Sequence, residues 1–328
     1  MSEAEKLVEV WRGSILECIH RGHAVICDAK GEIRVSWGNP DLVFLPRSAS
    51  KMLQALPLIE SGAAGALGLN PEQLALACAS HQGAAIHTER VTQWLAELGL
   101  SDDDFRCGTQ EPSDQDARDA LIRAHEQPCQ MHNNCSGKHT GFLSVAKHLG
   151  AGPDYIDLSH PVQVAVREAF EDMTGMESPG YGIDGCSAPN FATTLRGMAQ
   201  AMAKMAAGET GSDVRNLASA RLVAAMARHP ELVAGEGRAC TELMRAMGGA
   251  ATIKTGAEAV FIAILPGPGL GIAVKIEDGG TRAAEAVIAS LLVQSGVLEA
   301  NHPAAQKRLH GPIRNRRGIE TGHYRVLI

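Results

Sequence analysis

The periodicity of apolar residues changes twice along this chain, and those changes limit the folds that it can adopt. The first forty or so residues alternate apolar and polar positions and reach turns at Gly31 and Asn39-Pro40, which predicts an antiparallel meander. Helical spacing follows from residue 48 to about residue 248, and strand patterns return at 258–265, 271–276 and 323–328. This order predicts an α+β fold in which both chain ends build one antiparallel sheet and a helical lobe is inserted between them.

Caps and helix breakers set the predicted limits of the helices. Asn70-Pro71 is a cap followed by proline at the first helical position, and Pro57 should kink or shorten a helix over 51–59. Further helices are predicted at 71–79, 88–98, 117–125, 138–149, 161–173, 190–206, 213–227 and 283–294. Residues 266–270, rich in glycine and proline, lie between two strand patterns, which predicts a hairpin rather than a phosphate-binding loop.

Length and composition limit the organisation and the partners of the protein. A chain of 328 residues corresponds to about two domains or to one domain with two lobes. We predict a single catalytic domain over 1–328, with a sheet lobe at about 1–60 and 250–328 and a helical lobe at about 61–249. The hydrophobic content of 45% excludes intrinsic disorder, and the formal net charge of -7 argues against nucleic acid or an anionic membrane as partner.

The cellular location is predicted from three features of the sequence. The start of the chain carries Glu3, Glu5 and Lys6 and has no apolar stretch of the kind that forms a secretory signal. No run of about 18 apolar residues occurs, so no membrane span is expected. Eight cysteines in 328 residues are too dilute for a disulfide scaffold. Together these features predict a cytoplasmic protein with reduced thiols.

Ser48 and Lys51 form a Ser-x-x-Lys pattern at the start of a predicted helix. Positions three apart share a helix face, so the lysine amine can reach the serine hydroxyl and act as its base. The amine must then be neutral, which requires burial or a second cation nearby. Taken alone, the pattern more commonly describes a capping serine beside an exposed lysine.

Lys254-Thr255-Gly256, directly before a predicted strand, favours the catalytic interpretation. The two motifs together are typical of penicillin-binding proteins and serine β-lactamases. There, the second lysine places positive charge beside the nucleophile and disfavours charge on the first lysine. The third element of that group, Ser-Asp-Asn or Tyr-x-Asn, is missing; Asn133 or Asn134 could supply its asparagine and Ser80 its serine.

Two polar segments, 132–139 and 184–190, each place a cysteine in a turn before a predicted helix. A helix N-terminus stabilises a thiolate, so Cys135 and Cys186 are candidates for chemistry as well as for packing. Three interpretations compete: two packed cysteines, two ligands of a zinc ion, or a two-thiol acid–base pair as in cofactor-independent amino-acid racemases. Zinc binds sulfur and nitrogen, and chemistry alone favours His132 or His139 as the nitrogen ligand.

Five segments taken together resemble the rhizobial-type L-asparaginases, a zinc-containing class with a fold like that of serine β-lactamases and glutaminases. They are RSASKMLQALPLIESGA, HQGAAIHTERV, HNNCSGKHTGFL, DGCSAPNF and TGAEAVFIAILP. The similarity extends from about residue 8 to the C-terminus, so it implies the fold of nearly the whole chain. It also implies a homodimer.

The resemblance implies a role for individual residues. Ser48 corresponds to the nucleophile with Lys51 as its base, and Ser80 with Lys254 corresponds to a second serine–lysine tandem. The implied zinc ligands are Cys135, Lys138 and Cys186. The residues implied to lie near the zinc or the substrate are Arg47, His139, Asp184 and Cys240. A lysine ligand must bind as the neutral amine, and it replaces the histidine that chemistry alone favours.

The sequence therefore predicts a cytoplasmic enzyme that hydrolyses L-asparagine to L-aspartate and ammonia. Its partner is a small-molecule substrate, with zinc as the cofactor and neither nucleic acid nor a membrane bound. The alternatives are a penicillin-recognising or glutaminase-type serine hydrolase, a two-cysteine amino-acid racemase, and a non-catalytic zinc-binding or scaffold protein.

Overall fold

The computed structural model describes residues 3–328, so residues 1 and 2 of the predicted sheet lobe lie outside the described residues. The strands are β1 (Glu5–Arg12), β2 (Ile15–Asp28), β3 (Ile33–Trp37), β4 (Val43–Phe44), β5 (Tyr181–Ile183), β6 (Pro189–Phe191), β7 (Thr193–Thr194), β8 (Thr252–Gly256), β9 (Val260–Leu265), β10 (Leu270–Ile276), β11 (Ile313–Arg314) and β12 (Glu320–Val326). The helices are α1 (Lys51–Gln54), α2 (Leu56–Glu60), α3 (Ala63–Ala66), α4 (Pro71–Ala77), α5 (Ala85–Glu97), α6 (Gln115–Ala124), α7 (Ser136–His148), α8 (Pro161–Thr174), α9 (Leu195–Ala206), α10 (Val214–Arg228), α11 (Pro230–Val233), α12 (Ala239–Ala246), α13 (Thr281–Gln294) and α14 (Pro303–Leu309).

The chain forms two compact units. The sheet unit contains residues 3–49, Thr193–Ala207 and Glu242–Ile328. The helical unit contains Ser50–Ala192 and Gly208–Thr241. No helix within residues 3–328 is both long and apolar enough to cross a membrane.

The sheet unit is built on one antiparallel sheet of eight strands. Its order is β11-β12-β1-β2-β10-β9-β8, and β3 pairs with β2 beside this path. Strand β1 lies between β2 and β12, so the two ends of the chain are hydrogen-bonded into the same sheet. The predicted α+β class, with a sheet made from both chain ends and helices inserted between them, is confirmed.

The centre of this sheet is covered on both faces. All six residues of β9 are buried, although successive side chains of a strand point to opposite faces. Helix α9 packs against β10, β2 and β9, and α13 packs against β10, β9 and β1. At Gly271 a Cβ atom would lie 2.1 Å from the Ala199 carbonyl oxygen, so only glycine permits this close approach of α9 to the sheet.

The predicted hairpin at 266–270 is confirmed, because β9 and β10 pair through Leu265 and Leu270. Strand β9 begins two residues later than the pattern indicated. The reason is a turn in which Glu258 and Ala259 have φ angles of 57° and 55°, outside the extended region. Lys254 lies upstream of this turn, inside β8.

The helical unit begins with the helices that carry the candidate site. The predicted helix over 51–59 is divided at Ala55 into α1 and α2, and Pro57 lies in the first turn of α2. Helix α4 starts at the predicted cap: Asn70 Oδ1 accepts a hydrogen bond from the Gln73 N–H, and Gln73 Oε1 accepts one from the Asn70 N–H.

One predicted helix, 190–206, starts too early. Helix α9 begins only at Leu195, where the Thr194 hydroxyl caps it by accepting a hydrogen bond from Gly197 N–H. Upstream, Pro189–Phe191 pairs with Tyr181–Ile183 as a short hairpin. A three-residue strand is too short to show a period of two, so the sequence pattern did not reveal this hairpin, whose turn contains Cys186.

Candidate active site

A buried lysine and a serine meet in the helical unit. Lys51, in α1, is 1% exposed, and its Nζ donates to Ser80 Oγ at 2.9 Å and to the Ala79 carbonyl oxygen. Ser80 follows the end of α4, and its backbone N–H donates to the Val233 carbonyl oxygen at 2.9 Å. The serine is therefore held by its backbone on one side and by the lysine amine on the other.

The sequence analysis predicted two pairs, Ser48 with Lys51 and Ser80 with Lys254. The contact between Lys51 and Ser80 was not predicted. The two residues are 29 positions apart, and no local spacing reveals such a pair. The signals that sequence reasoning did have were the Ser-x-x-Lys pattern and the polar run that begins at Ser80.

Ser48 and Arg47 belong to the sheet unit, as does Lys254. Ser48 is half-buried in a short 3-10 turn, Arg47–Ser50, and Arg47 has a φ of 52°, a conformation that residues other than glycine rarely adopt. A Cβ atom on Gly256 would lie 2.6 Å from the Pro46 carbonyl oxygen and 3.1 Å from the Ala49 nitrogen. The glycine of Lys-Thr-Gly therefore lets the end of β8 approach the turn that carries Ser48.

Lys254 is fully buried on β8, and its Nζ donates to the Thr255 carbonyl oxygen at 2.8 Å. Burying a charged lysine in this position costs free energy unless hydrogen bonds or opposite charges stabilise it.

A second polar centre in the helical unit brings together the three residues that the resemblance implied as zinc ligands. Cys135 and Cys186 are each 4% exposed, and Lys138 is 2% exposed. Lys138 Nζ lies 3.1 Å from Cys186 Sγ, and Cys135 Sγ lies 2.9 Å from Asn134 Oδ1. Cys135 and Lys138 come from the start of α7 and Cys186 from the turn between β5 and β6. We call Cys135, Lys138 and Cys186 the thiol–amine cluster.

The two thiols of the thiol–amine cluster differ in their acidity. The hydrogen bond from Cys135, with the charge of Lys138, lowers the pKa of Cys186 well below its usual value against the effect of burial. The same hydrogen bond and burial raise the pKa of Cys135. Burial opposes charge on Lys138, but the Cys186 and Cys135 sulfurs outweigh it and raise the pKa of the amine. The cluster thus holds a thiolate, an ammonium and a thiol.

This donor set fits zinc, which takes thiolate and nitrogen ligands in proteins. Two sulfurs and one nitrogen converge from a turn and the first helical turn of α7, and binding a metal would displace the protons of Cys135 and Lys138. Within residues 3–328, no group of three or more histidine, cysteine, aspartate or glutamate side chains could hold a metal ion. The cluster contains two residues of those types and an amine.

His139 is the histidine that lies beside this cluster. Its ring is fully buried, and its Nδ1 lies 2.8 Å from the Tyr155 hydroxyl. The ring lies close to Cys186, whose sulfur partly offsets the effect of burial on the pKa of the imidazole. Burial lowers the pKa of His139 to about 4, so the imidazole is neutral at physiological pH.

His132 makes a different contact, since its Nδ1 accepts a hydrogen bond from the Cys129 N–H at 3.1 Å. Asp184 starts the turn that carries Cys186: its Oδ1 accepts from Gly185 N–H at 2.7 Å, and its charge helps to raise the pKa of Lys138. Asn133 orders the other turn, since its Oδ1 accepts from Cys135 N–H at 2.9 Å. Cys240 is buried in α12.

His81 and Ser136, which the sequence did not single out, connect the two polar centres. The His81 backbone N–H donates to the Asn134 carbonyl oxygen at 3.1 Å, and His81 Nε2 lies 2.9 Å from Ser136 Oγ. Ser136 Oγ in turn donates to the Met131 carbonyl oxygen. The only sequence signal was adjacency, because His81 follows Ser80 and Ser136 follows Cys135.

Comparison with known proteins identifies the class of the protein as an enzyme that hydrolyses amides. The model of the L-asparaginase II family matches residues 8–326, and the chain belongs to this family. The predicted relationship to asparaginases is therefore confirmed at the level of the family, and the rhizobial zinc-containing class stays a prediction. No curated protein sequence matches the chain.

Solved structures with similar coordinates have low sequence identity to this chain. A beta-lactamase from Mycobacterium bovis is 14% identical, with a TM-score of 0.47, and the match covers 83% of this chain and 94% of that one. The native form of Mglu is 15% identical, also with a TM-score of 0.47, and the match covers 96% of this chain and 73% of that one.

Proposed function

We propose that the protein is an L-asparagine amidohydrolase that releases L-aspartate and ammonia. The observation that carries this proposal is the buried Lys51 amine bonded to Ser80 Oγ at 2.9 Å in a chain of the L-asparaginase II family. A buried amine that is hydrogen-bonded to a hydroxyl oxygen lies in position to exchange a proton with that hydroxyl.

Ser48 is the proposed nucleophile and Lys51 its base. The two residues are three positions apart on consecutive helical turns, Arg47–Ser50 and Lys51–Gln54. In the proposed reaction Lys51 takes the Ser48 proton, and Ser48 Oγ attacks the carbon of the side-chain amide. The tetrahedral oxyanion is stabilised by backbone N–H groups, each of which is worth about 3–4 kcal/mol in other hydrolases.

Ser80 is the proposed route for the proton to the leaving group. Its hydroxyl accepts a hydrogen bond from Lys51, so a proton that Lys51 has gained can pass through Ser80 Oγ to the departing ammonia. Breaking the C–N bond leaves a β-aspartyl ester on Ser48. Water then hydrolyses this ester; Lys51 accepts the water proton and returns it to the departing Ser48 Oγ, which restores the neutral amine and the serine hydroxyl. Lys254 keeps its proposed role as the lysine of the second tandem.

We further propose that the thiol–amine cluster holds a zinc ion. A bound zinc ion would supply positive charge that orients a carboxylate or carbonyl oxygen of the substrate. Cys135 and Cys186 would bind as thiolates and Lys138 as the neutral amine. Asp184 stabilises the turn of Cys186 through its hydrogen bond to Gly185 N–H. Proposed substrate contacts are Arg47, His139, Asp184 and Cys240. A cytoplasmic homodimer is also part of the proposal.

Replacement of the nucleophile tests the proposed reaction. Ser48→Ala should abolish ammonia release from L-asparagine while the thermal unfolding midpoint stays within a few degrees of the wild type. The assay includes L-glutamine and nitrocefin, which distinguish a glutaminase-type or penicillin-recognising hydrolase. Appreciable residual turnover in Ser48→Ala would refute the assignment of the nucleophile.

A second candidate function, amino-acid racemisation, is favoured by one observation. Hydrogen bonding and burial make the Cys186 thiol a stronger acid than the Cys135 thiol, so one thiol can donate a proton while the other accepts one. Exchange of the α-proton of an amino acid with deuterated solvent, without ammonia release, would support this function. Ammonia release without α-exchange would exclude it.

A further inference from the structure

Helix α6 borders an open pocket in the helical unit that the proposed reaction does not use. The pocket has a volume of about 300 Å³, and its wall includes Arg118, Leu121, Ile122 and His125. The last three follow Arg118 by three, four and seven positions, a spacing that places all four side chains on one helix face. A pocket of this size is at the lower end of the range found for small-molecule sites.

The pocket face of α6 is poorly covered by the residues that the structure describes. No residue of Gln115–Ala124 is buried, and Ile122 is 62% exposed. A helix of ten residues that buries no side chain gains little from tertiary packing, and isolated helices of this length are marginal in water. A ligand that covers the apolar side chains of Leu121 and Ile122 would therefore stabilise the helix.

The residue that ends α6 also lines the pocket. His125 has a φ of 55°, in the left-handed region. Glycine is the usual residue at a helix end of this conformation, since other side chains destabilise it. The chain thus places an imidazole, which can form hydrogen bonds, in the pocket wall at a position where glycine would suit the backbone better. Strained backbone of this kind is common at binding sites.

Charged side chains of both signs line the pocket without pairing to one another. Among the described residues, the Arg118 guanidinium group has no hydrogen-bond or ion-pair partner, and neither have the carboxylates of Glu111 and Glu126. Arg123, on another face of α6, differs because its Nη2 lies 3.9 Å from Asp119 Oδ2. A guanidinium group binds carboxylates through paired hydrogen bonds, and a carboxylate binds ammonium groups.

We propose that this pocket is a second small-molecule site, which binds a free α-amino acid with an apolar side chain. Arg118 binds the α-carboxylate, and Glu111 with Glu126 binds the α-ammonium group. Leu121 and Ile122 contact the side chain. A zwitterion matches both kinds of charge, whereas a simple anion would be repelled by the two carboxylates and a simple cation by the guanidinium group. The site is independent of the proposed hydrolysis of L-asparagine.

Isothermal titration of the full chain with L-leucine tests the proposal, because leucine is such a zwitterion and has no side-chain amide to hydrolyse. We expect one molecule to bind per chain. Arg118→Gln, and separately the double variant Glu111→Gln with Glu126→Gln, should weaken binding about tenfold or more, since each removes a charged hydrogen-bond partner. Isocaproate, which lacks the ammonium group, and isoamylamine, which lacks the carboxylate, should also bind about tenfold more weakly or worse.

Arg123→Gln is the matched control, because it removes a guanidinium group from the same helix but from outside the pocket. Its affinity for L-leucine should stay within threefold of the wild type. All of these positions are at least partly exposed, so the thermal unfolding midpoints should stay within a few degrees of the wild type. The titration requires no turnover, so a failure of the proposed reaction would leave its result unchanged.

Three results would overturn the proposed site. One is a dissociation constant for L-leucine above about 10 mM in the wild type. The second is an unchanged affinity in Arg118→Gln, which would place the bound leucine elsewhere. The third is an absence of L-leucine binding together with a lower molar mass of Ile122→Asp in light scattering, which would show that a second copy of the chain covers this face instead.

Discussion

Two buried lysines of the helical unit, Lys51 and Lys138, have opposite kinds of neighbour. Lys51 donates to a carbonyl and a hydroxyl oxygen, and both acceptors are neutral. Lys138 donates to Cys186, whose depressed pKa makes it a thiolate. An anion at about 3 Å stabilises the ammonium form of Lys138, whereas the hydroxyl that Lys51 contacts is a group that can pass a proton on. The comparison assigns Lys51 to proton transfer and Lys138 to charge balance within the cluster.

The hydrogen-bond partners of the two lysines determine which proton transfers are open to each amine. Lys51 contacts the Ser80 hydroxyl, a group that can both accept and donate a proton. Lys138 can lose its proton only when another cation replaces it beside Cys186, which is what a metal ion would do. Substitutions at the two positions should therefore affect different steps.

The largest effect is expected at Lys51. Lys51→Met keeps the length of the side chain in an apolar environment but removes the amine, so the rate of ammonia release should fall about 10²–10⁴-fold, the usual contribution of a general base. The measurement is kcat with L-asparagine. Cobalt binding should be unchanged in this variant, which serves as the control for the cluster. A rate within tenfold of the wild type would contradict the assignment of Lys51.

A smaller effect on the rate is expected from the thiol–amine cluster. Cys186→Ser removes the thiolate, so metal binding should be lost and KM for L-asparagine should rise about tenfold or more, with kcat lowered less than KM is raised. Chelation of the wild-type protein should have the same effect. Complete loss of turnover at saturating L-asparagine would instead indicate that a metal ion takes part in the chemical step.

Gly256 provides a structural comparison with these two sites. Gly256→Ala places a Cβ atom 2.6 Å from the Pro46 carbonyl oxygen, so the backbone must shift. Overpacking of this kind costs about 1–3 kcal/mol in the free energy of unfolding. Urea denaturation measures the loss. The neighbouring Thr255→Ser, which adds no atoms, is the matched control, and equal stability of the two variants would contradict the close approach.

The smallest expected effect concerns acid stability and two stacked, buried histidines, of which His81 links the two polar centres. His81 and His87 stack with ring centroids 4.8 Å apart, and burial lowers the pKa of both. Because their pKa is lower in the folded than in the unfolded state, the unfolded state binds more protons, and stability is lost as the pH falls below about 6.5. His87→Gln should reduce the fall of Tm between pH 7 and pH 5. An undiminished fall would show that His87 does not contribute.

The sequence predicted the sheet well because its evidence is local. Strands β9 and β10 are six and seven residues long, with a turn rich in glycine and proline between them. The sequence signals of helix caps and hairpins likewise lie within a few neighbouring residues. The β5–β6 hairpin was missed because three-residue strands have no measurable period.

The site was predicted in part, for a similar reason. The resemblance implied that Cys135, Lys138 and Cys186 share one site, and the structure brings Cys186 to Lys138 from 48 positions further along the chain. Residue chemistry alone predicted a histidine, and not Lys138, as the nitrogen donor. The contact of Lys51 with Ser80 and the link through His81 both depend on tertiary packing, and no pattern within one segment encodes it.

The most direct test of the account is to identify the residue that becomes acylated. Rapid acid quenching during turnover of L-asparagine, followed by peptide mass spectrometry, should find one aspartyl group attached to the peptide that contains Ser48. The adduct should be absent in Ser48→Ala. An adduct on Ser80, or turnover with no adduct on either serine under conditions in which ester hydrolysis is slowed, would contradict the proposed nucleophile.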